Sequence, residues 1–236
     1  MSPTTVFVVG ASRGIGYAIV SRFASLPHFE IIAAVKDAAE MPALPQTHET
    51  STVRFIPCDM TDEASVEAAA QEIPTLDILI ANAAIGDDDK ILKMTMDRFR
   101  EFFEVNVVGT HRIVTSFLPA LRKGKQKKIM VVSSASGSMA IQINVPIGFS
   151  GPYAVSKAAC NILVIQYHNE LNNDEKAGFI VVPVHPGWVN TPMGNIVGKP
   201  SMQPEESANG IVDLALRLKP EDSAKFFQWD GQIVPW

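Results

Sequence analysis

Residues 4–9 read Thr4-Thr5-Val6-Phe7-Val8-Val9 and run without a gap into Gly10-Ala11-Ser12-Arg13-Gly14-Ile15-Gly16. The next segment, Tyr17-Ala18-Ile19-Val20-Ser21-Arg22-Phe23, places apolar side chains at helical spacing. An apolar, β-branched run that ends on a glycine turn and opens straight into a helix is a buried strand feeding a βα unit. Glycines at positions 10, 14 and 16 let the backbone turn sharply and approach a pyrophosphate, which would rest on the helix N-terminus. Three glycines alone are a weak signal, and a merely tight βα turn is the alternative. The strand before and the helix after give the turn its weight as a nucleotide cradle.

The same alternation continues along the chain. Strand patterns fall at 5–9, 30–35, 53–56, 77–81, 128–133, 179–184 and 225–229, and helical patterns at 14–25, 62–72, 97–121, 152–172 and 205–218. Such alternation predicts an α/β fold, a Rossmann-type, doubly wound parallel sheet of seven strands flanked by helices. Thr61 stands where an N-cap for the helix at 62–72 is expected, with Asp62 and Glu63 in its first turn. The stretch 36–52 is polar, holds two prolines and is short for a crossover helix, so a loop with a turn or two of helix is expected. No repeat or linker divides the 236 residues, and one domain over 1–236 follows.

Charge narrows the functional classes. A net charge of −5 argues against a nucleic-acid surface. The basic cluster at 122–128 reads as a solvated end of a helix, favoured by its dipole. Cys58 and Cys160 read as small buried residues of a reducing compartment. The first strand begins within a few residues of Met1 and no 18-residue apolar stretch exists, so neither a signal peptide nor a membrane span is expected, and the expected location is cytoplasmic. His28, His48, His111, His168 and His185 show no metal-ligand spacing. Asp87-Asp88-Asp89 reads as a solvent-facing loop, not a metal site.

Tyr153 and Lys157 lie four residues apart in a helical pattern, and so on one face. An ammonium within about 5 Å favours the phenolate, which would make the tyrosine a usable acid/base. Ser134, Tyr153, Pro186 and Thr191 all follow strand ends, where ligands bind in parallel sheets, so distant parts of the chain can converge on one cleft. The bland alternatives are a loop serine, an N-cap tyrosine and a snorkelling lysine.

The spacing G-x-x-x-G-x-G followed by Tyr153-x-x-x-Lys157 resembles the short-chain dehydrogenase/reductase family, with its TGxxxGxG and YxxxK fingerprints. Further landmarks stand in order: Asp59 with Met60 after the third strand, Asn82-Ala83-Ala84 for NNAG, Asn106, Ser133-Ser134, and Pro186-Gly187 with Val189 and Thr191 for the cofactor loop. Wording such as His185-Pro186-Gly187-Trp188-Val189-Asn190-Thr191-Pro192-Met193 is most similar to the sniffer/carbonyl-reductase branch, and to norsolorinic acid ketoreductase-type enzymes within it. Val9 replaces the fingerprint threonine and Ala84 the NNAG glycine, two departures that bear on geometry more than chemistry.

The resemblance implies roles. Tyr153 would protonate a carbonyl oxygen as hydride arrives from a nicotinamide, and Ser134, in preference to Ser133, would orient that oxygen. Lys157 would lower the tyrosine pKa and hold the nicotinamide ribose, and Asn106 would retain a water linking Lys157 to solvent. Gly10, Ser12, Arg13, Gly14, Ile15, Gly16, Lys36, Asp59, Met60, Asn82, Ala83, Ala84, Tyr153, Lys157, Pro186, Gly187, Val189 and Thr191 would contact the cofactor. Val35 occupies the position where an acidic residue would select NAD; with Lys36 next and Arg13 in the turn, NADP(H) is expected over NAD(H). Asp37 follows directly, and a one-residue change of register would reverse that reading.

The spacing from Ser134 to Tyr153 exceeds the family's usual dozen or so residues. The excess, 139–149, is an apolar loop without a charge. It reads either as packing or, with Phe149, Trp188 and Met193, as the wall of a hydrophobic pocket. The expected activity is reduction of a lipophilic ketone or aldehyde, such as an aromatic or polyketide-like secondary metabolite. Non-redox chemistry in the same pocket (cyclisation, dehydration or isomerisation) and an NADP(H)-sensing role are the alternatives. The resemblance leaves open a monomer, a homodimer or a homotetramer, the last two pairing through the helices at 97–121 and 152–172.

Overall fold

The protein, seen in a computed structural model that describes residues 2–144 and 148–236, is built on β1 (Thr4–Val9), β2 (Phe29–Val35), β3 (Thr52–Pro57), β4 (Ile78–Ala81), β5 (Lys128–Val132), β6 (Ile180–His185) and β7 (Phe227–Gln228). These pair in the order β3-β2-β1-β4-β5-β6-β7, every strand parallel to its neighbours. The connecting helices are α1 (Gly14–Ala24), α2 (Glu63–Gln71), α3 (Met96–Phe103), α4 (Thr110–Lys123), α5 (Met139–Asn144), α6 (Gly151–His168) and α7 (Pro204–Arg217). The strand order reverses between β1 and β4, which opens a crevice at their carboxyl ends.

Alternation along the strands divides the core into two layers. Phe7, Val9, Leu79 and Val131 enter the layer covered by α2, α4 and α6. Val6, Val8, Ile80 and Met130 enter the layer under α1 and α7. Phe7 and Phe117 are fully buried and stack with centroids 4.3 Å apart. Each such ring contributes about 1.5–3 kcal/mol by leaving water. Near-continuous β-branched strands are what a sheet buried on both faces demands.

Several expected elements differ in detail. The single helix expected over 97–121 is α3, a wider π-helical segment at Glu104–Gly109, and α4. The wider segment carries Asn106, whose side-chain amide grips the backbone of Ile85 from another part of the chain. Asp62, not Thr61, caps α2 by accepting from the Ala64 amide. Thr61 is diverted because its hydroxyl donates to Asp59 at 2.7 Å. At the sheet edge β7 is two residues long, shorter than the expected 225–229. The stretch 36–52 holds one short turn of helix, Ala38–Glu40, capped by Asp37. Within 139–149 the chain forms α5 where a loop is expected; residues 145–147 lie outside the described residues.

The basic cluster at 122–128 is only in part a solvated helix end. Arg122 pairs with Glu175 at 2.7 Å. Lys128 is 5% exposed and donates to the Ala215 carbonyl at the last turn of α7, where a cation meets the negative end of the helix dipole.

Gly124 ends α4 where the backbone passes Leu76. A Cβ on it would overlap the Leu76 carbonyl oxygen and lie 2.7 Å from its carbon. Both are backbone atoms, tied in place by the Leu76 amide bond to Ala120. A Gly124→Ala protein is therefore expected to lose about 1–3 kcal/mol of stability, the usual range for overpacking, as read by urea unfolding.

Candidate active site

The glycine turn between β1 and α1 holds left-handed backbone at Gly10 (φ +78°) and Gly14 (φ +58°), which a side chain rarely adopts. A Cβ on Gly10 would lie 2.7 Å from that of Ala83, and one on Gly16 would overlap the Gly10 carbonyl oxygen. Asn82 reaches across from the end of β4, its amide donating to the carbonyls of Val9 (3.3 Å) and Gly10 (3.0 Å). That bond braces the turn where Val9 has no hydroxyl; Val9 itself is buried in the core. A Cβ on Gly14 would come within 3.2 Å of Thr191, so the loop after β6 closes over the same turn.

Together these segments enclose a cleft of about 390 Å³. Gly10, Ser12, Arg13, Gly14, Ile15 and Gly16 line one end. Lys36, Asp59 and Met60 line its side, and Asn82, Ala83 and Ala84 its floor. Tyr153, Lys157, Pro186, Thr191 and Met193 line the rest. Val9, Glu40, Cys58, Thr61, Ile85, Val105, Val132, Ser133 and Pro192 also line it, beyond the residues expected from the sequence. Most of these are chain neighbours of motif residues, a signal the sequence does offer. Glu40 is not, and no pattern in the sequence marks it.

Asp59 sits at the side of the cleft beside Lys36 (3.3 Å). Burial opposes its charge, but hydrogen bonds from the Thr61 amide (2.9 Å) and hydroxyl and the Lys36 ammonium outweigh it and hold the carboxyl below the ordinary range. Arg13 stands in the turn itself.

At the far end Ser134 follows β5 and caps a short helical turn, Ala135–Gly137, its Oγ accepting from the Ser136 amide at 3.1 Å. It also hydrogen-bonds Tyr153. Tyr153, in the first turn of α6, is 7% exposed, and Lys157 one turn on is 3% exposed. The Lys157 Nζ lies 5.8 Å from the Tyr153 ring centre and donates to the Val132 carbonyl at 2.8 Å. Burial pushes the Tyr153 phenol up to about 12, with the Ser134 bond acting the other way. The expectation that the ammonium makes this phenol more acidic is therefore corrected: desolvation dominates, and it also lowers Lys157.

Asn106 is 1% exposed and acts as a clamp. Its amide donates to the Ile85 carbonyl (3.0 Å) and Ser156 Oγ (2.9 Å) and accepts from the Ile85 amide (2.9 Å), tying the chain after β4 to α6. The Asn106 carbonyl accepts from Thr110 Oγ1 (2.7 Å) and Cys160 Sγ (2.9 Å). Ser133 is buried and bonded away from Tyr153, to Asn161 at 2.6 Å.

Phe149 packs edge-on against Tyr153 with centroids 4.9 Å apart, in an apolar cluster with Phe102, Ile85, Met193 and Val197. Met193 and Phe149 close on Gly86, where a Cβ would meet them at 2.8 and 3.1 Å. Of the residues expected at the site, Asn106, Ser134, Phe149, Gly187, Trp188 and Val189 do not line the cleft. Gly187 (φ +85°) turns the chain, and Val189 is buried, its carbonyl accepting from the Thr191 amide. Trp188 is half exposed and donates to the Gly194 carbonyl at 2.9 Å.

The acidic triplet lies in a partly exposed loop, with ion pairs the sequence does not show. Asp87 and Asp89 are bound by Arg98, at 3.2 and 2.9 Å, and Asp88 by Lys90 at 2.8 Å, so this loop is an ion-paired brace. Burial holds His185 down to about 4, and it is neutral near pH 7. Among the described residues no group of three His, Cys, Asp or Glu could hold a metal, and no helix is long and apolar enough to cross a membrane.

Comparison with known proteins agrees with this geometry. The family model of the short chain dehydrogenases matches residues 4–200. An uncharacterized oxidoreductase of Saccharomyces cerevisiae is 31% identical over 98% of this chain and 96% of its own. The short-chain dehydrogenase/reductase AacuF of Aspergillus aculeatus is 32% identical over 90% of this chain and 81% of its own. Among solved structures, an NADPH-bound carbonyl reductase from chicken fatty liver superposes with a TM-score of 0.85 at 27% identity, covering all of both chains. The carbonyl reductase Sniffer of D. melanogaster shares the fold at a TM-score of 0.83 and 20% identity, again over all of both chains. With its glycine turn, its parallel sheet and a cleft lined by both Tyr153 and Lys157, the chain belongs to the short-chain dehydrogenase/reductase family of oxidoreductases.

Proposed function

We propose that this oxidoreductase reduces a ketone or aldehyde on a lipophilic substrate, such as an aromatic or polyketide-like metabolite, with NADPH. The observation that carries the reading is the placement of a buried, protonated phenol, hydrogen-bonded to Ser134, at one end of a cleft whose other end is a glycine cradle. The cradle fits a dinucleotide: its glycines keep the turn in a shape that a side chain at Gly10 or Gly16 would break against Ala83 or the Gly10 carbonyl, and its amides sit at the N-terminus of α1.

NADPH, when bound, would supply the hydride that turns a carbonyl into an alcohol. The chain's own groups do the rest. Tyr153 holds a proton on its hydroxyl at neutral pH and passes it to the substrate oxygen, and Ser134 donates to the same oxygen and fixes its direction. Lys157, anchored on Val132, stands beside the phenol, where it would hold a nicotinamide ribose. Asn106 holds the Ile85 wall; its carbonyl, which a water relay to Lys157 would use, has Thr110 and Cys160 as described partners. Ile85 and Met193, backed by the buried Phe149 and Phe102, would offer the substrate an apolar surface. Following absorbance at 340 nm against a panel of aromatic and aliphatic ketones tests the reading. NADPH that binds but is never consumed would return the non-redox alternatives.

The cofactor preference rests on Arg13 and Lys36 at the mouth of the cleft, a reading favoured by the NADPH carried by the chicken relative. Lys36 is exposed and shares its charge with Asp59. The double change Arg13→Ala with Lys36→Ala is expected to weaken NADPH about tenfold or more, one or two charge-assisted bonds, and to leave NADH affinity nearly unchanged. Equal losses for the two cofactors would remove these residues as phosphate readers.

A further inference from the structure

Ser134 must meet Tyr153 to within a few tenths of an ångström, yet the two come from different elements: a turn after β5 and the start of α6. The side chain that joins them lies outside the cleft. Asn161 sits on α6 at positions four and eight beyond Lys157 and Tyr153, along one stripe of the helix. Its side chain is 4% exposed and is bonded at both ends. Its Oδ1 accepts from Ser133 Oγ at 2.6 Å, and its Nδ2 donates to the Gly137 carbonyl at 3.1 Å. Ser133 precedes Ser134 and Gly137 closes the turn that Ser134 caps. One amide thus pins both ends of the segment that presents the Ser134 hydroxyl.

The rest of the contact is steric. Gly137 lies against the backbone of α6 so closely that a Cβ there would stand 2.6 Å from the Lys157 carbonyl carbon and 2.8 Å from the Ala158 nitrogen. The two Asn161 bonds, the long bond from Ser133 Oγ to the Lys157 carbonyl (3.5 Å) and the bond from Lys157 Nζ to the Val132 carbonyl (2.8 Å) tie the turn to the helix. Ser133 and Asn161 are buried, so a bond lost between them leaves a polar group unpaired.

We infer that Asn161, with Ser133 as its partner, is a positioning residue for the reaction: it holds the Ser134 turn in register with Tyr153 and Lys157 from outside the cleft, through the Ser133 hydroxyl and the Gly137 carbonyl. Asparagine is the side chain the site calls for, since one acceptor and one donor are needed on the same planar group. Aspartate would keep the Ser133 bond and set a carboxylate oxygen against the Gly137 carbonyl. Leucine would fill the volume and bond to neither.

The inference rests on the reductase reading, and the test separates the two. Wild-type NADPH consumption with a ketone is measured first. In Asn161→Leu the expected result is a fall in kcat of about ten- to hundredfold, the scale of a small misplacement of reacting groups, with NADPH Kd unchanged. Ser133→Ala is expected to fall in the same direction, Ser133→Thr to restore rate by restoring the hydroxyl, and Ser133→Ala to add nothing further in the Asn161→Leu background. Hydrogen exchange at the amides of Ser136, Gly137 and Ser138 is expected to quicken in Asn161→Leu, a readout that needs no turnover. Normal kcat in both variants, or NADPH affinity falling in step with kcat, would overturn the positioning role. If the wild type consumes no NADPH with any ketone, the reductase reading fails by itself, and exchange rates left unchanged by Asn161→Leu would sink the anchor independently.

Discussion

A Tyr153→Phe protein is expected to lose ketone reduction by about 10²–10⁴-fold while still binding NADPH and folding normally, and the two halves of that result have separate causes. The ring is structural. It packs edge-on against Phe149 in the cluster with Phe102, and phenylalanine keeps every one of those contacts. The hydroxyl is chemical: its partner is Ser134, and Ser134 retains its bond from the Ser136 amide when the phenol oxygen is gone. No buried polar atom is left without a partner, so unfolding midpoints should match the wild type or rise slightly. What disappears is the proton that a developing alkoxide needs, and a positioned general acid is worth about 10²–10⁴ in rate. Burial, pushing the phenol up to about 12, keeps that proton in place throughout the neutral range. Steady-state rates at 340 nm and NADPH binding by fluorescence check the prediction, and an active Tyr153→Phe protein would remove Tyr153 as the donor.

The sequence carries the outline of this site because its parts are written locally. A strand, a glycine turn and a helix are contiguous from Thr4 to Ala24, and Tyr153 and Lys157 are one turn apart whatever surrounds them. Parallel strands buried on both faces are equally legible, since each is a short apolar run such as Ile78–Ala81. What the sequence does not show is decided by partners far along the chain. The π-helical segment at Asn106 follows from a bond to Ile85, 21 residues away. Thr61 gives up the cap of α2 because Asp59 takes its hydroxyl. The acidic triplet looks free until Arg98 folds back onto it. The direction of the Tyr153 shift fails for a related reason: helical spacing places the ammonium, but burial, which outweighs it, is a property of the packed protein. Asn161 is four residues past a recognisable motif and still gives no signal, because its two partners come from the end of β5 and the turn beyond.

Gly16→Ala carries the other large effect, and its sign is not obvious. In an exposed helix interior this change stabilises a protein by about 0.5–1 kcal/mol, because alanine has less backbone freedom to lose. Here the added methyl would overlap the Gly10 carbonyl oxygen and stand 2.7 Å from the Asn82 amide. Neither can retreat cheaply. Gly10 is already pressed on Ala83 at its back, and Asn82 is held by the same carbonyl it braces. Relief must come from moving the first turn of α1 away from the end of β1, against a helix packed on α7 by Ile19, Val20 and Phe23. Overpacking of that kind costs about 1–3 kcal/mol and outweighs the propensity gain. The displaced turn is the proposed pyrophosphate seat, so NADPH affinity is expected to fall about a hundredfold, the loss of one or two charge-assisted hydrogen bonds. Measured together, urea unfolding and NADPH titration separate the two consequences. A Gly16→Ala protein that is destabilised yet binds NADPH like the wild type would place the diphosphate elsewhere and leave the ketoreductase reading without its cofactor site.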